Sequence, residues 1–163
     1  MGQIRLQRVH DGAVLPSRAT AKSFGYDLAI CKEETIPGRS AKILPTGWKL
    51  AEDLPLVETT TLLSTPNGLE KIVVGGVSMQ VLPRSSTILK YGLLVGNSPG
   101  LVDADYTGEI GIVAYNLRDE AITLPAGTRL AQLVFGYLDF FDVIEVSDGD
   151  QRAERGGFGS TGA

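Results

Sequence analysis

Three stretches of this 163-residue chain carry side chains that could do chemistry together. In the first, Asp103 and Asp105 flank Ala104, after the apolar pair Leu101-Val102 and before Tyr106. A carboxylate beside an apolar patch can serve as a general base, although aspartates in a turn also simply cap loops. The second is Pro83-Arg84-Ser85-Ser86, an arginine and two hydroxyls where a helical turn would open. Free N–H groups, hydroxyls and a guanidinium make a ready anion site, and serine there also serves as an ordinary cap. The third is the tail, where Arg152 and Arg155 precede Gly156-Gly157-Phe158-Gly159-Ser160-Thr161-Gly162. Its donors suit phosphate oxygens and its one ring could stack on a planar base. No lysine follows Lys90, so the glycines are not a P-loop.

Composition removes competing chemistries. One cysteine, Cys31, and one histidine, His10, cannot supply the three or four ligands of a zinc site, which sets aside zinc hydrolases and zinc deaminases. A lone cysteine forms no internal disulfide, no apolar leader opens the chain, and no run approaches the roughly 18 apolar residues of a membrane span. The expectation is a soluble protein of the cytoplasm or another intracellular compartment, with no membrane partner. A net charge of −4, without a Lys/Arg stripe, argues against nucleic-acid binding. A small polyanion remains open wherever positive charge is concentrated locally.

The elements that must position these residues read as strands. Short β-rich runs at 72–83, 108–117, 128–138 and 140–146, separated by Gly, Pro and Asn, predict an all-β sandwich or barrel. Residues 109–116 are nearly all apolar or small, which predicts a strand covered on both faces and hints at subunit packing. Asp103 and Asp105, at i and i+2, are expected on one face of a strand. The one helical signal runs from Ser85 to Tyr91, capped by Ser85 or Ser86 and ending at Gly92. Pro66-Asn67-Gly68 is a hairpin turn signal. The chain thus divides into a β domain over 1–147 and a polar, glycine-rich arm over 148–163 that orders on something else or not at all.

Five short motifs in order resemble those of the homotrimeric dUTP diphosphatases, the dUTPases. They are Ser23-Phe24-Gly25-Tyr26-Asp27-Leu28, Pro83-Arg84-Ser85-Ser86, the stretch 96–110, Ala126-Gly127-Thr128-Arg129-Leu130-Ala131-Gln132-Leu133, and the tail around Phe158. The resemblance implies a β jelly-roll with at most one short helix. It also implies a homotrimer that builds each site from three chains, with the arm closing over the nucleotide. The implied reaction is hydrolysis of dUTP to dUMP and pyrophosphate, by water attack on the α-phosphorus with Mg²⁺ on the phosphates. By the same resemblance Asp103 activates the water and Gln132 is its second partner. Asn97, Leu101, Val102, Asp103 and Gly111 read the uracil, and Tyr106 packs under the deoxyribose. Arg84, Ser85 and Ser86 bind phosphate, and Asp27 supports the metal region indirectly. In the arm, Phe158 stacks on the base, while Gly159, Ser160, Thr161 and either Arg152 or Arg155 close on the phosphates.

Three departures and two rivals accompany the resemblance. Ala153 stands where the family usually has an arginine, and Phe24 where alanine is usual. About twenty residues, 55–75, are inserted before the second motif, either as a passive hairpin or as a docking site for a protein partner. The related dCTP deaminases share Arg-Ser-Ser and the fold but need a catalytic Glu where this chain has Val113. The other rival is a dUTPase that also works as a regulatory binding protein through the insert.

Overall fold

The computed structural model describes residues 2–65 and 68–145. Among these residues eleven strands form three sheets, with β1 (Leu6–Arg8), β2 (Tyr26–Ala29), β3 (Glu34–Ile36), β4 (Ala41–Leu50) and β5 (Leu56–Thr65) in the first half. β6 (Gly68–Pro83), β7 (Leu93–Val95), β8 (Gly100–Val102), β9 (Glu109–Asn116), β10 (Ile122–Leu124) and β11 (Arg129–Asp139) complete it. One sheet runs β1-β4-β9-β7, a second runs β2-β11-β6-β5 with β8 also on β6, and β10 pairs with β3. Every pairing is antiparallel.

The two larger sheets form a sandwich because each strand alternates an apolar inner face with a more polar outer one. β9 shows the alternation cleanly: Ile110, Ile112, Ala114 and Asn116 are buried while Gly111, Val113 and Tyr115 are half-buried. These inner residues and Leu44 share one core with Leu28, Met79, Val81 and Leu133 of the facing sheet. Asn116 is a fully buried polar residue, and its amide donates to the carbonyls of Ile36, Pro37 and Glu120. These bonds tie the Ile36-Pro37 segment and the loop at Glu120 to β9, so the burial of Asn116 costs little.

The all-β jelly-roll expectation holds, with a single helical turn over Thr87–Tyr91. That turn stops at Gly92, whose φ of 67° is the left-handed value that glycine adopts without a side-chain penalty. The second face of β9, with Gly111, Val113 and Tyr115, is half-buried within the single chain. Two expectations need correction. Residues 140–145 form no strand: after Phe140 N–H donates to Val74 O the segment finds no edge, and Phe141 and Val143 stand exposed. Asp103 and Asp105 lie in a turn, closed by Tyr106 N–H to Asp103 O, and not along one strand face. β5 and β6 form a hairpin over the 55–75 stretch, with Thr65 opposite Gly68 across positions 66 and 67, which lie outside the described residues. No helix is long and apolar enough to cross a membrane among the described residues.

Candidate functional site

Two clusters collect the singled-out residues, on opposite edges of the C-terminal part of β6. The first is a pocket of about 280 Å³. The hairpin from β7 to β9 supplies Asn97, Gly100, Leu101, Val102, Asp103 and Tyr106, and the sheet beneath supplies Gly111, Val113 and Ile43. β8 pins the hairpin to β6 through Met79↔Val102 and Val81↔Gly100. Close approaches fix its shape. A Cβ on Gly108 would fall 2.4 Å from the Tyr106 hydroxyl, so only glycine lets that ring lie across the backbone while its O–H donates to Glu109 O. A Cβ on Gly100 would sit 3.0 Å from the Asn97 amide nitrogen. Asn97 and the hairpin backbone can therefore offer amide and carbonyl groups to the edge of a flat heterocycle, in a space limited by contact.

Glu109 also lines this pocket, and sequence reasoning passed it over. Its Oε1 accepts from Gly47 N–H at 2.7 Å, a bond possible because Gly47 takes φ 78° at the irregularity between Pro45 and Lys49. Held as an acceptor, Glu109 leaves Asp103 as the pocket carboxylate facing the hairpin side. Val113 lines the wall where a deaminase would need its glutamate, and valine moves no proton.

The second cluster is ionic. Asp27 on β2 receives Arg84 Nε on one carboxylate oxygen at 2.8 Å and Arg129 on the other at 3.0 Å, with only 13% of the Asp27 side chain exposed. Two guanidiniums on one carboxylate leave a net positive charge, and Ser85 and Ser86 follow directly. Neither serine works as a cap: Ser86 at the N-cap makes no side-chain capping bond, contrary to the expectation. The turn is held instead by the Thr87 hydroxyl, which donates to Leu130 O. Gln132 opposes Asp27 across the β11–β2 pair. Its amide donates to Pro83 O at 3.0 Å, and Gly25 presses against it so tightly that a Cβ there would fall 1.9 Å from Oε1.

Arg129 stands in the fourth motif, but the sequence pattern does not reveal it as a partner of Asp27, because the register shifts between Arg129 and Ala131. The extra residue at the bulge puts Arg129 and Gln132 on the same face as Asp27, although strict alternation would separate them. Asp27 was read as supporting a metal region, and here its two oxygens are occupied by arginines. Among the described residues no group of three or more His, Cys, Asp or Glu could hold a metal. Phosphate oxygens, by contrast, are ordinary Mg²⁺ ligands. Cys31 is buried; burial pushes its thiol up and Glu109 adds to the shift, so it remains protonated and inert.

The clusters do not meet within one chain. Gln132 pairs with Leu82 of β6, and Val102 with Met79 on the other edge of the same strand. Three residues at about 3.3 Å and two strand spacings of about 4.8 Å put the two backbones roughly 14 Å apart. Asp103 lies one residue further on, and the Gln132 amide reaches the opposite way, to Pro83. Arg152, Arg155, Phe158, Gly159, Ser160 and Thr161 lie outside the described residues.

A jelly-roll sandwich with a base-sized pocket and a separate arginine cluster is the class that fold and site define. The dUTPase family model matches residues 60–162. A deoxyuridine 5'-triphosphate nucleotidohydrolase of Wolinella succinogenes is 37% identical over 161 residues, covering 98% of this chain and 94% of the relative. Among solved structures, the dUTPase of Staphylococcus bacteriophage 80alpha superposes with a TM-score of 0.76 at 19% identity over the whole of both chains, a likeness of fold. A dUTPase from Streptococcus mutans superposes at 0.62 with 26% identity, over 86% of this chain and 98% of its own. The chain belongs to the dUTPase family.

Proposed function

We propose that this enzyme hydrolyses dUTP to dUMP and pyrophosphate, and that its pocket holds the deoxyuridine while the arginine cluster holds the phosphates. The observation that carries the reading is the convergence of Asn97, residues 100–103, Tyr106 and Gly111 on one pocket of about 280 Å³. Asn97 and the backbone of Leu101 and Val102 pair with the uracil edge, and Tyr106 packs under the sugar and rejects a ribose 2′-hydroxyl. Asp103 takes a proton from the attacking water as its oxygen approaches the α-phosphorus, and pyrophosphate departs with the electron pair of the broken P–O bond. Arg84, Ser85 and Ser86 bind the phosphates, and Asp27 aims the guanidinium. Mg²⁺ arrives on the triphosphate as part of the substrate and neutralises charge on the leaving group. The arm, through Phe158 and its flanking hydroxyls and arginines, closes the site against bulk water.

Asp103 and Gln132 can share one water only if they come from different chains, given their separation in a single chain. That separation, together with family membership, supports a homotrimer with composite sites. The test is a nucleotide panel of dUTP, dCTP, dTTP and UTP with Mg²⁺, assayed for pyrophosphate and ammonia. Pyrophosphate from dUTP alone is the expected result; ammonia from dCTP would overturn the reading.

A further inference from the structure

We propose that Ile43 is a specificity-determining wall of the nucleoside pocket, an inference that rests on the deoxyuridine reading of that pocket. Ile43 is a large β-branched residue on β4, paired with Val113 of β9, yet it is 68% exposed. Its neighbour Leu44 points into the core and is fully buried, so the strand's alternation forces Ile43 outward. There it lines the pocket beside Gly111 and Val113. It leans directly over Gly111, where a Cβ would fall 2.7 Å from Ile43 Cγ2. The hairpin thus faces an apolar wall built by Ile43 beside Val113 and made possible by one glycine. A nucleoside entering the pocket covers the Ile43 side chain, and burying apolar surface against a fitted shape contributes both affinity and size selection. Gly111 in this account admits no side chain because Ile43 occupies its space, so the two residues act as a pair.

The pairing makes a double-mutant cycle the decisive experiment. Ile43→Ala removes three carbons from the wall. The expected result is a KM for dUTP about fivefold higher, turnover at saturation changed by less than about threefold, and a dUTP-over-dTTP preference in kcat/KM lowered at least about fivefold. Gly111→Ala pushes Ile43 into the pocket and raises KM about tenfold or more. The double variant, with no Cγ2 to collide with, returns to within about threefold of Ile43→Ala alone. Unchanged KM and selectivity in Ile43→Ala, or no relief in the double variant, overturns the proposal while wild-type dUTP hydrolysis leaves the pocket reading intact. A variant that only loses its oligomeric state in light scattering, with selectivity unchanged, assigns Ile43 to a subunit interface and also overturns it. Wild-type enzyme that releases no pyrophosphate from dUTP removes the reading and this inference together.

Discussion

The clusters on the two edges of β6, a steric end and a charged end of the proposed site, are built by different means. Around Tyr106 selection is steric: Gly100, Gly108 and Gly111 let backbone and side chains approach so closely that a single methyl would displace a neighbour. Around Asp27 selection is electrostatic, with one half-shielded carboxylate aiming two arginines and leaving two serine hydroxyls uncommitted. A steric site discriminates between similar molecules, whereas a charged site supplies affinity and transition-state stabilisation with little discrimination. A family that must separate near-identical nucleotides and then cleave a polyanion needs both, and this chain keeps them roughly 14 Å apart.

The largest expected effect falls on the one residue that serves the reaction from the steric end. Asp103→Asn keeps nucleotide affinity within about tenfold and lowers turnover at least about a hundredfold, the scale of a lost general base; single-turnover kinetics beside equilibrium binding separate the two. Asp27→Asn releases both arginines, and kcat/KM for dUTP should fall about thirtyfold while the dUTP-over-dTTP preference stays within about twofold. A comparable loss of preference would mean that the charged end also selects. Gly108→Ala does the reverse: it displaces the Tyr106 ring, so discrimination against UTP should fall about tenfold with phosphate affinity retained, as read by pyrophosphate inhibition.

The smallest effect lies away from both ends, at Glu34, a buried carboxylate held by Lys42 at 2.6 Å and Lys32 at 3.5 Å. Its hydrogen bond and charge pairing with Lys42 hold its pKa below the usual carboxylate range, outweighing the opposing effect of burial. A depressed carboxylate contributes stability above its unfolded pKa and loses it as pH falls through the folded one. Glu34→Gln should therefore cost about 1 kcal/mol at neutral pH, and the gap between the two melting curves should close on acidification below pH ~4.

Much of this arrangement was legible in the sequence, for identifiable reasons. β6, β9 and β11 announce themselves through apolar alternation and β-branched residues, and Gly92 marks the end of the helical turn because only a left-handed residue fits there. The run at 140–145 reads equally well as a strand but lacks a partner edge within one chain, and β propensity without pairing makes no strand. Asp103 and Asp105 were misread as strand neighbours because the turn is set by a backbone bond to Tyr106 that no residue pattern encodes. Arg129 joined the ionic cluster through a bulge, and Glu109 joined the pocket wall through the turned-out backbone at Gly47. Both depend on register irregularities, which composition and periodicity do not reveal.

The claim that steric and charged ends belong to different chains of one site is open to direct complementation. Asp103→Asn and Arg84→Ala enzymes, each strongly impaired alone, are denatured, refolded together in equal amounts and assayed for pyrophosphate release from dUTP. Each site that takes Asp103 from one chain and Arg84 from another should then be intact in about one quarter of random assemblies, restoring about a quarter of wild-type turnover. Activity that stays at the sum of the two separate variants, in assemblies proven mixed by mass spectrometry, would contradict the composite site.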